Sequence, residues 1–411
     1  MAVSFPPGFD FTDPDTWAER VPVAEFAELR RTAPIWWNPQ PPGRSGFDDG
    51  GYWVVTKHEH VKDISMRPEV FSSQRNTAVI RYRGDMQRDQ IDVLRMLLQN
   101  MDAPAHTQAR RIVSKGFTPR AVESLRAALT DAAREIVREA KHCGSGDFVE
   151  QVACDLPLRA IADLLGVPQE DRTKLFDWSN QMMNYDDDEY NDDPVGASAA
   201  IMGYAWNLAE QRRACPADDI VTKLVDAEID GEALSSEEFA WFVIQLAVAG
   251  NETTRNAITH GMKAFLDHPE QWELFKQHRP RTTADEIVRW ATPVAVFQRT
   301  ATADAEVGGV EIHAGQRVGM FYSSANFDDD VFDDPFSFDI LRDPNPHVGF
   351  GGTGSHYCLG ANLARLEIDL MFNALADAMP DIRQLDDPVR LRSGWLNGIK
   401  HWNVAYTRIP E

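Results

Sequence analysis

The chain has 411 residues, 43% hydrophobic and 26% charged, enough for a large buried core. Its formal charge of −23, from 64 acidic against 41 basic residues, excludes nucleic acid and anionic lipid surfaces as natural partners. Four cysteines, Cys143, Cys154, Cys215 and Cys358, form no C-x-x-C pair and sit at no zinc spacing, which excludes a structural zinc.

The N-terminal MAVSFPPGFDFTDPDTW has no basic n-region and no apolar h-region. The expectation is a cytoplasmic protein with reduced thiols and no membrane anchor. Residues 1–50 are rich in proline, glycine and aromatics and read as an irregular arm with one helical piece near Val23–Ala33. GYWVVT (51–56) is β-branched and aromatic and predicts a strand. From about Ala103 to Leu266 the period is mostly helical: Thr118-Pro119 opens one helix, GSGD (144–147) closes it, and Pro168 and Pro194 open two more. NYDDDEYNDDP (184–194) reads as a solvated surface turn rather than a calcium site, because the order and closing Glu of an EF-hand loop are missing.

Residues 234–270 read as one long helix, with Ser235 and Glu238 as a capping box and Pro269 after its end. Its first half is apolar on all sides and should run through the core. The longest apolar run, Phe239–Gly250, falls short of the ~18 residues of a membrane span. After Pro293 the character changes. VGGVEIHAGQRVGMFYS (307–323) has period-2 pieces with glycine turns, predicting small antiparallel hairpins. Residues 326–346 form a turn-rich meander, residues 359–379 a second strong helix, and 396–406 a hairpin signalled by Asn397-Gly398. There is no repeat, low-complexity tract or linker, so the reading is a single domain over 1–411, mainly α with minor β.

Residues 348–360, VGFGGTGSHYCLG, place Gly349, Gly351 and Gly354 at the G-x-G-x-x-G spacing of a dinucleotide site. That fingerprint needs a strand before it, and Pro344 and Pro346 forbid one. The glycines would instead let the chain lie close to a flat ligand. Cys358 stands where a helix begins, and the unpaired N–H groups there favour thiolate. Thiolate is the ligand that pushes electron density onto haem iron. Taken alone, the same cysteine reads as a plain buried residue.

FGGTGSHYCLGANLAR (350–365) resembles the haem-binding signature of the cytochrome P-450 superfamily, with Phe350 one residue further from Cys358 than the usual pattern. AGNETT (249–254) resembles the family's oxygen-binding kink, EIVR (286–289) its E-x-x-R pair and FQRTATAD (297–304) its strand with a propionate-binding arginine. MDAPAHTQARR (101–111) resembles the helix that offers a His and an Arg to the other side of the haem. The resemblance implies the cytochrome P-450 fold, a triangular helical prism with small antiparallel sheets, and haem b as cofactor. It makes Cys358 the iron ligand, pairs His106, Arg110, Arg299 and His356 with the two propionates, and sets Phe350, Gly352 and Gly360 against the cofactor. Each cation, taken alone, reads equally well as a structural ion pair. Gly250 would let the long helix open, while Glu252 and Thr253 match the acid–alcohol pair that relays protons. Thr253 alone would read as a hydroxyl bonded to the preceding turn. Glu286 and Arg289 read as structural, with Arg342 or His347 as a third member of their network.

The implied reaction is monooxygenation with dioxygen and two electrons. The chain carries no fused reductase domain, so the expected partners are a ferredoxin and an NAD(P)H-dependent ferredoxin reductase, docking near Arg111 and Lys115. Expected substrate contacts are Val79, Ile80, Met86, Leu97, Val248, Val294, Val296, Trp395 and Leu396, an apolar set suited to a bulky hydrophobic molecule. AGNETTRN and NGIKHWNVAY are most similar to actinobacterial steroid C26/C27-monooxygenases, which implies terminal-methyl hydroxylation of a sterol side chain, as in cholesterol or cholest-4-en-3-one, with further oxidation to the acid as an extension. The alternatives are a terminal hydroxylase of methyl-branched fatty acids or terpenoids, and a haem-thiolate protein that binds ligands or senses gas without turnover. Glu252-Thr253 argues against the sensor, which needs no proton relay.

Overall fold

A computed structural model of the protein describes residues 5–190, 192–216, 221–222, 228–229, 232–233 and 235–407. Its axis is the helix Ser236–Asp267, 32 residues long. The Ser235 hydroxyl accepts from Glu238 N at 3.1 Å and the Glu238 carboxylate accepts from Ser235 N at 2.9 Å, so the capping box starts the helix as read. Phe239, Phe242, Val243 and Ile244 are buried around its circumference, as an all-apolar half demands. Helices Asp155–Leu165, Arg172–Met183, Pro194–Ala214, Thr283–Ala291 and Ala361–Ala378 pack against it, and Pro119–Cys143 lies along Ala361–Ala378. Thr118 caps Pro119–Cys143 through Ala121 N, and Gly144 ends it at φ 77, a left-handed turn that costs glycine little.

The arm is more regular than its composition suggests. It forms helices Pro14–Glu19 and Val23–Thr32 and an edge strand, Ile35–Pro39, because Phe11, Trp17 and Phe26 are fully buried and need a fixed backbone. The main sheet runs Ile35–Pro39, Gly51–Val55, Arg317–Phe321, Val296–Ala301, Phe71–Ser72. The pair Gly51–Val55 and Arg317–Phe321 is parallel and its other neighbours are antiparallel. Ala305–Val307 and Val310–Ile312 form the expected small hairpin. Asn397-Gly398 does not turn a two-residue hairpin. Val389–Arg390 pairs with Ile399–His401 across a longer loop, and the Asn397 amide is buried, donating to Ala291 O at 2.6 Å.

The acidic loop is a solvated turn only in part: Asp188, Glu189, Asp192 and Asp193 are exposed, but its first residues are not. Asn184, Asp186 and Asp187 are buried. Asp186 pairs with Arg81 at 3.2 Å, and Asp187 accepts from Lys400 Nζ and Arg392 N, each at 2.9 Å. Its cations come from positions remote in sequence, so the charge run alone could not reveal them. Glu189 and Asp147 flank His401, each at 2.7 Å. Burial pulls the His401 ring down, but its bonds to Asp147 and Glu189 outweigh this and leave its pKa raised.

The meander is held from Thr283–Ala291. Glu286 and Arg289 are both fully buried and joined at 2.7 Å. Arg289 also donates to the carbonyls of Asn326, Pro335 and Ser337. The third member of the network is Arg342, 3.2 Å from Glu286, whereas His347 pairs with Asp285 at 3.0 Å.

Two stability predictions follow from these ion pairs. Arg289→Ala leaves buried Glu286 with Arg342 as its cation and with the neutral donors Asp339 N and Asn345 Nδ2, and is expected to cost about 3–5 kcal/mol in denaturant unfolding. A raised histidine pKa stabilises fully below its unfolded value of 6.5, and the contribution disappears as pH rises through the folded value. Between about pH 5.5 and about pH 9, His401→Gln is therefore expected to lose less stability than the parent chain, measured by unfolding at both pH values.

Candidate active site

The cysteine loop folds before it reaches any ligand. Gly351 N donates to Val348 O and Cys358 N to Phe350 O, both at 2.9 Å, so the chain closes into a tight bow. Gly351 has φ +87 and Gly354 φ +111. A Cβ on Gly352 or Gly354 would overlap Ser65. These two glycines serve close approach to the helix His58–Ser65, not to a ligand as the sequence suggests. Gly360 instead faces open space and lines the cavity.

Cys358 faces that same cavity, at the start of Ala361–Ala378. Burial pushes its thiol pKa up, while the N–H groups of Gly360 and Ala361 and the charges of Arg110 and Arg365 pull it back. Phe350, despite its shifted position, lines the cavity too, with the Arg365 guanidinium 4.6 Å from its ring centre.

Two guanidiniums, Arg110 and Arg299, and two imidazoles, His106 and His356, line the same cavity as Cys358. The rings of His106 and His356 lie 4.1 Å apart. His356 Nε2 is 3.2 Å from Ser73 Oγ, and Ser73 N donates to Asp102 at 2.8 Å. Arg110 donates to Tyr357 O at 2.6 Å and Arg299 to Gln298 O at 2.7 Å. Among the described residues the direct hydrogen-bond partners of His356, Arg110 and Arg299 are neutral, and His106 Nε2 is buried with none. Burial first, then the guanidiniums of Arg110 and Arg299, holds His106 down to about 4; His356, with the same neighbours and His106, is held down to about 2. The Asp102 carboxylate, bonded to Ser72 and Ser73, is near enough for its charge to act on His106 and Arg299, but among the described residues neither guanidinium has a carboxylate in direct contact. A flat group with two carboxylates and an iron facing Cys358 fits the donor set and the orphaned nitrogen.

Above the cysteine runs the long helix. It is continuous through Gly250, where a Cβ would overlap Ile161, so this glycine also serves a close helix crossing. Thr253 lines the cavity and its hydroxyl donates to Ala249 O at 2.8 Å. Glu252 does not line it. Its carboxylate is buried in an ion pair with Arg255 and accepts from Asn256 Nδ2 at 2.9 Å. Arg255 borders a second cavity, with about 1250 Å³ of atom-free space partly open to solvent, beside Asn180, Tyr190, Lys400 and His401.

The main cavity holds about 1670 Å³ of atom-free space, part of it open to solvent. Val248, Val294, Trp395 and Leu396 line it as expected. Val79, Ile80, Met86, Leu97 and Val296 do not; they pack into the hydrophobic core. The reason is strand alternation. Phe297 and Arg299 face the cavity, so Val296 faces away, and Ala78, whose carbonyl accepts from Gln298 N, takes the wall position beside Val79 and Ile80. Sequence reasoning missed Phe297, Phe242, Gln245 and Glu367. The period-2 pattern of Val296–Ala301 could have found Phe297, and the helical period from Thr253 could have found Phe242.

Comparison with known proteins agrees with this arrangement. The sequence pattern described as Cytochrome P450 matches residues 281–376. The chain is 66% identical over 403 residues to a steroid C26-monooxygenase of Rhodococcus jostii, covering 98% of this chain and 86% of the relative. It is 42% identical to a methyl-branched lipid omega-hydroxylase of Mycobacterium tuberculosis, covering 97% and 95%. A cytochrome P450 of Mycobacterium marinum in complex with pseudoionone superposes with a TM-score of 0.91 at 36% identity, covering 99% of this chain and all of that one. With the cysteine loop, the cation cluster and these relatives agreeing over nearly its whole length, the chain belongs to the cytochrome P450 family.

Proposed function

We propose that this chain is a haem b monooxygenase that hydroxylates a terminal methyl group of a sterol side chain, with electrons from a ferredoxin and its NAD(P)H-dependent reductase. One observation carries the reading: Cys358, two guanidiniums with no direct carboxylate partner among the described residues, two imidazoles held neutral and Thr253 all face one cavity. The haem, when bound, supplies the iron that binds and reduces dioxygen.

The chain's own residues do the rest. Cys358 is the thiolate ligand, and the N–H groups of Gly360 and Ala361 steady its charge. His106, Arg110, Arg299 and His356 hold the two propionates, which neutralises a cluster that is otherwise self-repelling. Thr253 holds a hydroxyl proton at Oγ1 beside the reacting space and orders the last water. Glu252 stands one residue back, and its pair with Arg255 links it to the second cavity, where protons enter from solvent. Phe297, Val294, Trp395 and Leu396 exclude water and guide a hydrocarbon end towards the cysteine side.

The sterol assignment is supported by the name and 66% identity of the Rhodococcus relative and by the apolar wall. The lipid omega-hydroxylase supports a second reading, terminal hydroxylation of a methyl-branched fatty acid, in the same cavity. Arg111 and Lys115 are exposed on the turn of chain after Arg110, which reaches Tyr357 O beside Cys358. That local basic surface suits an acidic ferredoxin against an otherwise acidic protein.

Titration of the haem-loaded enzyme with cholest-4-en-3-one is expected to displace water from iron, read as a shift of the visible spectrum. Turnover with surrogate ferredoxin and reductase is expected to give a side-chain primary alcohol by mass spectrometry. A product only from branched fatty acids moves the assignment to the second reading, and binding without any product supports the sensor. Thr253→Ala is expected to keep consuming NAD(P)H while product per electron pair falls about tenfold and peroxide rises. Unchanged coupling removes the role given to that hydroxyl.

A further inference from the structure

The wall of the main cavity that carries Arg299 also carries a phenol, Tyr322. Arg317–Phe321 pairs antiparallel with Val296–Ala301, Val318 opposite Arg299 and Met320 opposite Phe297. Side chains opposite each other across such a pair share a face. Tyr322 follows Phe321 directly and comes two residues after Met320, so the alternation that turns Phe297 and Arg299 to the cavity turns Tyr322 there too. Its ring meets the Phe297 ring edge-on, with centres 6.3 Å apart. The residue is buried, with 3% of its surface exposed.

A buried tyrosine hydroxyl ordinarily finds a hydrogen-bond partner, because an unpaired O–H away from water is costly. Among the described residues no hydrogen bond reaches the hydroxyl of Tyr322. Burial pushes its phenol up from the ordinary value, against the pull of the Arg299 guanidinium, so at working pH it stays an O–H donor. Arg299 in turn has only the Gln298 carbonyl as a direct acceptor among the described residues. A guanidinium and a phenol thus face the cavity from one wall, and both have donors to spare. The bland alternative is a ring that braces Phe297 and whose hydroxyl does nothing.

We propose that Tyr322 is a positioning residue for the cofactor, its hydroxyl donating to the propionate that Arg299 holds. The contact adds to those of His106, Arg110, Arg299 and His356. A neutral O–H grips a carboxylate without adding to the repulsion between the guanidiniums. The inference rests on the assignment of Arg299 to a propionate.

The test uses haem-loaded enzyme and Tyr322→Phe, which keeps the ring against Phe297 and removes only the O–H. Resonance Raman spectra are expected to show the propionate bending band displaced in Tyr322→Phe, since that band follows hydrogen bonding to the carboxylate. An undisplaced band overturns the proposal. Transfer of haem to excess apomyoglobin is expected to run about fivefold faster, as one hydrogen bond to a charged group is missing. Transfer at the wild-type rate overturns the proposal as well. The spectral Kd for cholest-4-en-3-one is expected to stay unchanged, and a weaker Kd with an undisplaced band marks a packing role. Failure of the Arg299 assignment is seen separately, as an Arg299→Gln enzyme whose propionate band keeps the wild-type position whatever Tyr322→Phe does.

Discussion

A guanidinium that water cannot reach fixes the geometry around Cys358. Arg289 has five N–H donors to satisfy, and it finds acceptors in Glu286 and in the carbonyls of Asn326, Pro335 and Ser337. Those carbonyls belong to a stretch without regular secondary structure, which has no ladder of its own to fix it. Asn326 then turns its side chain to Val348 N at 2.7 Å, where the cysteine loop begins. Asp285, next to Glu286, accepts from Arg365 at 2.7 Å and lies 3.0 Å from His347. Two neighbouring acids on one short helix thus clamp the loop at its entrance and at its exit.

The cavity is built as two unequal halves. One carries converging cations and the cysteine; the other is hydrocarbon, from Phe297, Trp395 and Leu396. The Arg110 and Arg299 guanidiniums, with no carboxylate in direct contact among the described residues, disfavour the empty fold, so a dianionic ligand relieves an existing repulsion as well as adding contacts. Cofactor affinity and fold stability are then one quantity seen from two sides. The hydrocarbon half has no such demand, and its specificity comes from shape.

Much of this was legible in the chain before it was folded. The capping box at Ser235, the left-handed Gly144 and the helix after Cys358 follow from local chemistry, which the sequence states directly. The motif resemblance singles out Cys358, His106, Arg110, Arg299, His356 and Thr253, and all six line one cavity. What was hidden depends on partners far away in the chain. Asp186 and Asp187 looked solvated because Arg81, Arg392 and Lys400 lie in other segments. Val79 and Ile80 looked like pocket lining because the register that turns Ala78 inward is set by Gln298, over two hundred residues on. Gly250 reads in the sequence as the residue that opens the long helix and Gly352 as one set against the cofactor; the helix is continuous at Gly250, which lines the cavity beside Ile161, and the near neighbour of Gly352 is Ser65.

Consecutive residues of an α-helix point about 100° apart, and the long helix uses that step at one place only. Thr253 looks into the hydrocarbon chamber while Glu252 looks the other way, into its ion pair with Arg255. The helix therefore works as a bulkhead between two cavities, with Thr253 on one side and the Glu252–Arg255 pair on the other. Its turns on either side can drift in sequence so long as they remain helical and apolar. A single inserted or deleted residue within Gly250–Arg255, however, would rotate both groups together and leave the hydrocarbon chamber facing the wrong one.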